Sequence, residues 1–264
     1  PSPLLPTLSS WISLEELLFY WGADACQRNM ISIRWFRNTV ITFSALILCG
    51  CANTNYNWGW YVVSPTTSQG QINLKFLVSG LGYTLSISLI SITISVLIGL
   101  AVALPGLTKS RTGRICNRLY VETFRSIPML VMILWVYYGL PVLMNINIGV
   151  FGAGILALAL CDSAFEAEIF RAGIQSIDRG QHEAADSIGL NYANKMRYII
   201  LPQAIRRILP PLGNQFVYML KMSSLVSVIG LADLTRQANE LVVTEYRPLE
   251  IYTFLVLEYL VLIL

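Results

Sequence analysis

Two acidic residues stand in a strongly apolar part of the sequence, where ionisable side chains are costly and therefore indicate function. Asp162 and Glu166 are four residues apart, so a helix would present both carboxylates on one face. The pair could attract an ammonium group. Alternatively, both carboxylates lie near the cytoplasmic end of the helix and form salt bridges with Arg171 or with basic residues of the segment RSIP.

A second polar group lies in an apolar segment that contains Pro210, Pro211 and Gly213, and these residues predict a broken helix. A break at membrane depth is tolerated where the backbone lines a cavity. Lys221 either faces a substrate carboxylate or extends to the outer membrane interface. The group consists of Asn214, Gln215, Lys221, Ser223 and Ser224.

Catalytic and metal sites are not indicated by the remaining reactive residues. The single histidine and five scattered cysteines form no clustered nucleophile, acid–base pair or ligand set. A G-x-x-x-x-G-K-[ST] phosphate-binding motif is also absent from the sequence, so any ATP must bind to another subunit. We therefore predict no catalytic residue, no metal site and no enzymatic activity on this chain.

The composition indicates which elements position these residues. Hydrophobic residues make up 55% of the sequence and charged residues only 12%, which is typical of an all-α integral membrane protein. Apolar runs of about twenty residues cross a roughly 30 Å hydrocarbon core. We predict about six transmembrane helices, at 36–51, 76–104, 129–144, 148 to about 165, 208–220 with the following SSLVSVIGL, and 251–264.

The first of these segments has a second interpretation. The stretch RWFRNTVITFSALILCGC resembles a secretory signal that is cleaved before a lipid-modified Cys51. The residues before it and the spans after it favour a retained helix.

Basic residues are concentrated on one side of the predicted bundle, and cytoplasmic loops carry the excess of positive charge. Residues 52–74 between the first two spans contain no charge but include Trp58, Trp60 and Tyr61, which suit a membrane interface. The N-terminal segment and loop 178–202 are therefore expected in the cytoplasm. Fourteen of the 18 basic residues lie on this side: Arg28, Arg34, Arg37, Lys109, Arg111, Arg114, Arg118, Arg125, Arg171, Arg179, Lys195, Arg197, Arg206 and Arg207.

Small residues recur at helical spacing in two of the spans. Such a face lets helix backbones approach closely in lipid, so we expect packing there, with direct ligand contact as the alternative. A separate prediction concerns Glu122 and Arg125, which are spaced for a local ion pair. The small residues are Thr84, Ser88, Ser91, Ser95 and Gly99 in one span and Gly149, Ala153, Ala157 and Cys161 in the other.

A polar segment, GQHEAADSIGLNYANKMRYIILPQA, interrupts the apolar runs. Residues 181–188 form a predicted helix, and Gly189 suits the residue with positive φ after a helix end. Asn191 or Asn194 can cap a second short helix that ends or bends near Pro202. The first helix would present an apolar face of Ala184, Ala185 and Ile188.

The same segment fits the pattern E-A-A-x3-G-x9-I-x-L-P and resembles the signature loop of bacterial ABC importer permeases. The segments GLGYTLSISLISI, YVETFRSIPML, SAFEAEIFRAGIQSI and LPPLGNQFVYMLKMSSLVSVI are similar to the polar amino acid subfamily. Differences are KMSSL in place of the commoner KDTSL and the acidic pair in the fourth span. The matching positions are Glu183, Ala184, Ala185, Gly189, Ile199, Leu201 and Pro202.

The resemblance implies a five-helix type I importer core, to which the first span is an addition. Residues 1–75 would form an N-terminal segment with this helix and an extracytoplasmic loop. Residues 76–264 would form the transmembrane domain, in which loop 178–202 carries a cytoplasmic coupling helix that docks on an ATPase. Polar amino acids would cross the bundle by alternating access.

The resemblance also implies partners in a bacterial plasma (inner) membrane. These are ATP-binding cassette subunits, a second permease that is the same chain or a paralogue, an extracytoplasmic amino acid binding protein and membrane lipid, with no nucleic acid. ATP and Mg²⁺ would bind the ATPase, and this chain would hold no cofactor. The alternatives are a secondary transporter or channel that needs no ATPase, and an integral membrane enzyme.

Overall fold

The computed structural model describes residues 56–108, 110–146 and 148–264, so the predicted span 36–51 lies outside the described residues. Within these ranges the chain is helical and contains no β-strand. The helices are α1 Ser68–Ser79, α2 Leu81–Leu107, α3 Arg111–Ser126, α4 Met129–Leu134, α5 Leu140–Met144, α6 Gly149–Gln175, α7 Arg179–Ser187, α8 Tyr192–Lys195, α9 Leu201–Met222, α10 Leu234–Glu245 and α11 Pro248–Ile263. Trp60–Val63 and Ser223–Ile229 are 3₁₀ helices, and Trp135–Gly139 and Met196–Ile200 are π-helical turns.

Two helical stretches in the described residues are long and apolar enough to cross a membrane, Ser68–Leu107 and Gly149–Gln175. They contain the second and fourth predicted spans. The third and fifth spans lie in two bent pairs, Arg111–Ser126 with Met129–Met144 at 96° and Tyr192–Ile229 with Leu234–Glu245 at 48°. If each bent pair is counted as one span, the described residues contain up to four spans. The sixth predicted span lies in α11, an apolar helix of 16 residues.

Helices α2 and α6 form the centre of the bundle and run parallel. The Ser95 hydroxyl donates a hydrogen bond to Asp162, 67 residues further along the chain. Ile87 and Gly154 are also 67 residues apart, and a Cβ on the glycine would lie 2.8 Å from the isoleucine Cδ1. Because the separation stays constant, both helices end at the same side of the bundle, and so α3 and α7 begin there together.

Helix α9 packs against α6 in the opposite direction. A Cβ on Gly173 would collide with Ile208 near one end of the pair, and Gln215 donates a hydrogen bond to Asp162 further along. The chain therefore returns from the end that carries α7 towards the far side of the bundle.

The predicted packing of small residues is present at most positions. Thr84, Ser88, Ser91, Ser95 and Gly99 all lie on the buried face of α2. On α6, the buried members are Ala153, Ala157 and Cys161, whereas Gly149 is exposed at the start of that helix.

The predicted break at Pro210, Pro211 and Gly213 is wrong, because α9 remains helical through all three. Both prolines lie on the exposed side of α9. The carbonyl groups that lack an N–H partner there can be paired by neighbouring groups or water. The helix instead changes at Ser223 into the 3₁₀ segment, which ends at Gly230 with φ +96°.

The far end of the bundle is joined by hydrogen bonds between distant parts of the chain. The Asn73 amide donates to the Val62 carbonyl at 3.0 Å and to the Glu245 carboxylate at 3.1 Å. The Gly59 N–H donates to the Glu250 carboxylate at 2.5 Å. These contacts fix the segment before α1 against the connection of α10 and α11. Trp58–Leu264 forms one compact unit, and the domain division at residue 75 stays a prediction.

Candidate functional site

The candidate site is centred on Asp162, which lies at the midpoint of the 27-residue helix α6. About 20 Å of helix extends on either side of it, and centring α6 in a bilayer would place the carboxylate near the midplane. The Ser95 hydroxyl of α2 donates to it at 2.6 Å, and the Gln215 amide of α9 also donates to it. Three helices thus meet at one buried carboxylate.

Glu166 lies one helical turn further along α6 and is fully buried. Neither of its carboxylate oxygens has a hydrogen-bond partner among the described residues. Its Cβ packs against Gly99 of α2, where a Cβ would approach it to 2.5 Å. A buried carboxylate without a partner is costly. It therefore marks a place where a ligand or water supplies the missing donors.

Salt bridges from Asp162 and Glu166 to Arg171, which the sequence left open as the alternative to binding an ammonium group, are not formed. Arg171 instead pairs with Glu168 at 2.6 and 3.0 Å and donates to Gln175 at 2.9 Å. Arg125 of the RSIP segment lies over the Phe165 ring at 5.1 Å. Within the described residues, no salt bridge reaches Asp162 or Glu166.

The second predicted polar group does not form one cluster. Gln215 alone reaches Asp162, whereas Asn214 and Lys221 are exposed. Ser223 and Ser224 donate to carbonyl groups of their own helix at 2.9 and 2.7 Å, because a hydroxyl in a helix readily bonds the preceding turn.

One member of the site, Ser95, was assigned by sequence to helix packing, with direct ligand contact as the alternative. Its helical spacing with other small residues indicated a close backbone approach, and the structure adds a direct bond to Asp162. The predicted ion pair of Glu122 with Arg125 is not formed. The Glu122 carboxylate instead lies 3.8 Å from the Arg118 guanidinium.

A separate surface lies at the end of α6, where α7 and its connection to α8 form the predicted coupling loop. Helix α7 covers 179–187, close to the predicted 181–188, and Gly189 follows it with φ +76°. The Gly189 N–H donates to Asp186 at 3.0 Å and the Leu190 N–H donates to Ala185 at 3.1 Å. These two bonds define a Schellman motif. Asn191, one of the two predicted caps, then accepts the Asn194 N–H at 2.9 Å.

The structure refines one prediction about this loop and contradicts another. Ala185 is fully buried within the chain, so it does not share an exposed face with Ala184, because α7 folds back onto the turn Met196–Ile200. The second helix does not end or bend near Pro202 but continues into α9. The π turn just before Pro202 explains this continuation. The Leu201 N–H donates to the Met196 carbonyl, and the wider turn accommodates the proline ring.

The other motif residues differ in exposure. Glu183, Ala184, Gly189, Leu201 and Pro202 are exposed, and Ile199 is half-buried. The exposed apolar surface also includes Ile188 and Tyr192, at 72% and 74% exposure.

Comparison with known proteins assigns this arrangement to a family. Residues 95–264 match the family model described as binding-protein-dependent transport system inner membrane component. The chain belongs to this family. It is a permease subunit of the ATP-driven importer class and not an enzyme, so the alternatives of an integral membrane enzyme and a lone carrier or channel are set aside.

Several relatives of this permease have a stated cargo. A probable glutamine ABC transporter permease of Bacillus subtilis is 40% identical over 190 residues, covering 72% of this chain and 88% of the relative. A glutamine transport system permease of Escherichia coli strain K12 is 36% identical, with the same two coverages. An arginine transport system permease of Bacillus subtilis is also 36% identical, covering 72% of this chain and 87% of its own length.

Solved structures agree with this fold. A crystal structure of an amino acid ABC transporter with histidines shares 44% identity and a TM-score of 0.69, covering 73% of this permease and 90% of that chain. An inward-facing structure of a methionine ABC transporter has a TM-score of 0.62 at 21% identity, covering 73% and 92%. The second match supports the fold alone. The all-α membrane bundle is confirmed, whereas the total of six helices stays a prediction.

Proposed function

We propose that this permease moves polar amino acids that an extracytoplasmic binding protein delivers, by alternating access around Asp162. The observation that carries the proposal is the junction of Ser95, Asp162 and Gln215 near the midplane. Cargo sites of transporters commonly lie at this depth, between helices that move relative to one another. The relatives named for glutamine and arginine support a polar amino acid as cargo.

The charge of the site favours the amino group of the cargo as its partner. Asp162 and Glu166 carry two carboxylates, and within the described residues no cationic side chain pairs with either. A bound ammonium group would supply both the missing charge and the missing donors of Glu166. The amide and hydroxyl around Asp162 keep one carboxylate oriented, whereas the other has no hydrogen-bond partner among the described residues.

The cargo site is tested by replacing Asp162 with Asn and Glu166 with Gln together. The affinity for the transported amino acid should fall about 30-fold or more, because removing one partner of a buried charge pair costs about 2 to 5 kcal/mol. Uptake and binding would be measured in proteoliposomes that contain the complete transporter. Glu168→Gln is the control, since this carboxylate lies two residues away and pairs with Arg171. Unaltered affinity in the double variant would return both carboxylates to a structural role.

We also propose that loop 178–202 couples this permease to a cytoplasmic ATPase, which binds the ATP and Mg²⁺. A second permease subunit, either the same chain or a related one, would complete the pathway. The exposed Ala184, Ile188 and Tyr192 supply an apolar contact surface, and Gly189 sets the direction of the chain after α7. The remaining residues of the motif support this shape, namely Glu183, buried Ala185, Ile199, Leu201 and Pro202.

The coupling surface is tested by comparing Gly189→Asp with Gly189→Asn. Both side chains tolerate a left-handed backbone, and nothing lies within 4 Å of a Cβ at this position, so the chain itself should accommodate either. The Asp variant should lose uptake and co-purification with the ATPase, because its charge would be desolvated at the contact. The Asn variant should retain most of both. Full activity of the Asp variant would place the ATPase contact elsewhere.

A further inference from the structure

A polar cavity of about 420 Å³ lies between α3 and the last turns of α6, away from the acidic site. Its walls carry four arginines but only two carboxylates, Glu122 and Glu168. Three of the arginines follow one side of α3, and the fourth projects from α6. The arginines are Arg114, Arg118, Arg125 and Arg171.

The cavity carries an excess of positive charge after its own ion pairs are counted. Arg171 is held by Glu168 at 2.6 Å, and Arg118 lies 3.8 Å from Glu122. Among the described residues, Arg114 and Arg125 form no salt bridge. Two guanidinium groups therefore remain for an anion, and their planar donors match the oxygen atoms of a phosphate group.

The walls of the cavity are held in place without the help of a ligand. The Asn117 amide donates to the Val102 carbonyl at 2.8 Å and fixes α3 against α2. The Arg125 guanidinium lies over the Phe165 ring at 5.1 Å. The positions of α3 and of one arginine are thus set before an anion binds, which lowers the entropic cost of binding.

The depth of the cavity matches a lipid headgroup. Arg171 is nine residues beyond Asp162 on α6, or about 14 Å along the helix axis. Half of a roughly 30 Å hydrocarbon core is about 15 Å. With α6 centred in the bilayer, the cavity lies at the membrane boundary, at the end of the bundle that carries α7 and the surplus of basic residues.

The surface beside the cavity matches the rest of a lipid. Ile115 and Leu119 of α3 are 49% and 60% exposed. Each directly follows an arginine in the sequence, so both lie on the side of the helix next to the arginine side. Acyl chains can lie against this apolar strip while the headgroup reaches the arginines, as expected of a basic amphipathic helix at a membrane surface.

We propose that this cavity between α3 and α6 binds the phosphate group of an anionic phospholipid. Inorganic phosphate has the same chemistry, but the apolar strip and the depth of the cavity favour the lipid as its source. Basic pockets between membrane helices on the cytoplasmic side are suited to such headgroups.

The proposal is tested with the full-length permease in its assembled transporter. The complex is placed in nanodiscs of phosphatidylcholine with a small fraction of phosphatidylglycerol, and the retained phosphatidylglycerol is measured by native mass spectrometry. Arg114→Gln, alone and with Arg125→Gln, removes the unpaired guanidinium groups. Arg111→Gln is the matched control, because it removes the same charge from the same helix but from a residue outside the cavity walls.

The Arg114 variants should retain about tenfold less phosphatidylglycerol than the Arg111 variant, as loss of a hydrogen bond to a charged group predicts. Melting temperatures in pure phosphatidylcholine should stay equal, which separates lost binding from lost folding. Equal retention in the Arg114 and Arg111 variants would overturn the proposal. Displacement of the lipid signal by millimolar inorganic phosphate would overturn the lipid as the source and leave a site for soluble phosphate.

Discussion

Asp162 shows how one side chain can link three helices. Its carboxylate accepts bonds from α2 and α9 while belonging to α6, so any change in the relative positions of these helices must break or replace one of the bonds. Glu166, one turn away, has no such bonds among the described residues. The contrast separates a carboxylate that is oriented by the protein from one that has no such partner, which we propose is supplied by the cargo.

The close approach of α2 and α6 depends on Gly99. A Cβ there would lie 2.5 Å from the Glu166 Cβ and 3.0 Å from the Ser163 carbonyl oxygen, and the backbone atom cannot move aside cheaply. We predict that Gly99→Ala destabilises the permease by about 1 to 3 kcal/mol, as overpacking does. Thermal unfolding of the purified complex would measure the loss.

Gly82→Ala is the control for this prediction. It lies in the same helix, and nothing is within 4 Å of a Cβ at that position. Its melting temperature should be equal or slightly higher, because alanine is favoured over glycine in a helix by about 1 kcal/mol. Equal melting temperatures for the two variants would show that α2 and α6 can separate without cost.

At the scale of elements, the coupling loop is a short helix joined by a Schellman motif to a much longer one. Because α8 continues through the π turn into α9, the loop and the bundle share one continuous helical element. The far part of that element holds Gln215, which bonds Asp162. This physical connection links the proposed ATPase contact to the proposed cargo site.

The start of the long element depends on the cap at Asn191. Asn191→Ala should weaken the first turn by about 0.5 to 2 kcal/mol, because an N–H of that turn loses its acceptor. Hydrogen exchange at residues 192–196 should become faster. Asn194→Ala keeps the Asn191 cap and serves as the control, since only the backbone N–H of Asn194 takes part in it. Faster exchange in the Asn194 variant alone would show that the cap is wrongly assigned to Asn191.

At the scale of the whole molecule, the parallel course of α2 and α6 brings two separate basic segments to one end of the bundle. The charge distribution predicts that this end faces the cytoplasm. The opposite end carries the hydrogen bonds that join α1 to α10 and the segment before α1 to α11. The two ends should therefore be accessible from opposite sides of the membrane.

Single cysteines in an otherwise cysteine-free chain test this orientation. Tyr246→Cys, at a position 82% exposed near the far end, should react with a membrane-impermeant maleimide in intact cells. Ile188→Cys, at a position 72% exposed on the coupling loop, should react only after the membrane is opened. The reverse pattern would invert the proposed topology, and labelling of both in intact cells would place both ends outside.

The sequence by itself determined the membrane class, the spans 76–104 and 148–165, the family motif and the helix end at Gly189. These features depend on local properties, namely runs of apolar residues and the backbone freedom of glycine. The same local rules failed at Pro202, Pro210 and Pro211, because a π turn and an exposed helix side accommodate what an isolated helix would not.

Only the tertiary structure decided which polar residues act together. Ser95, Asp162 and Gln215 are distant in sequence and meet because α2, α6 and α9 pack with a particular register. Ala185 is buried where α7 folds back onto the turn Met196–Ile200, and Arg171 pairs with Glu168 within α6 rather than with the acidic pair. Spacing along one helix predicts a shared face, but the partner of that face depends on how the other helices pack against it.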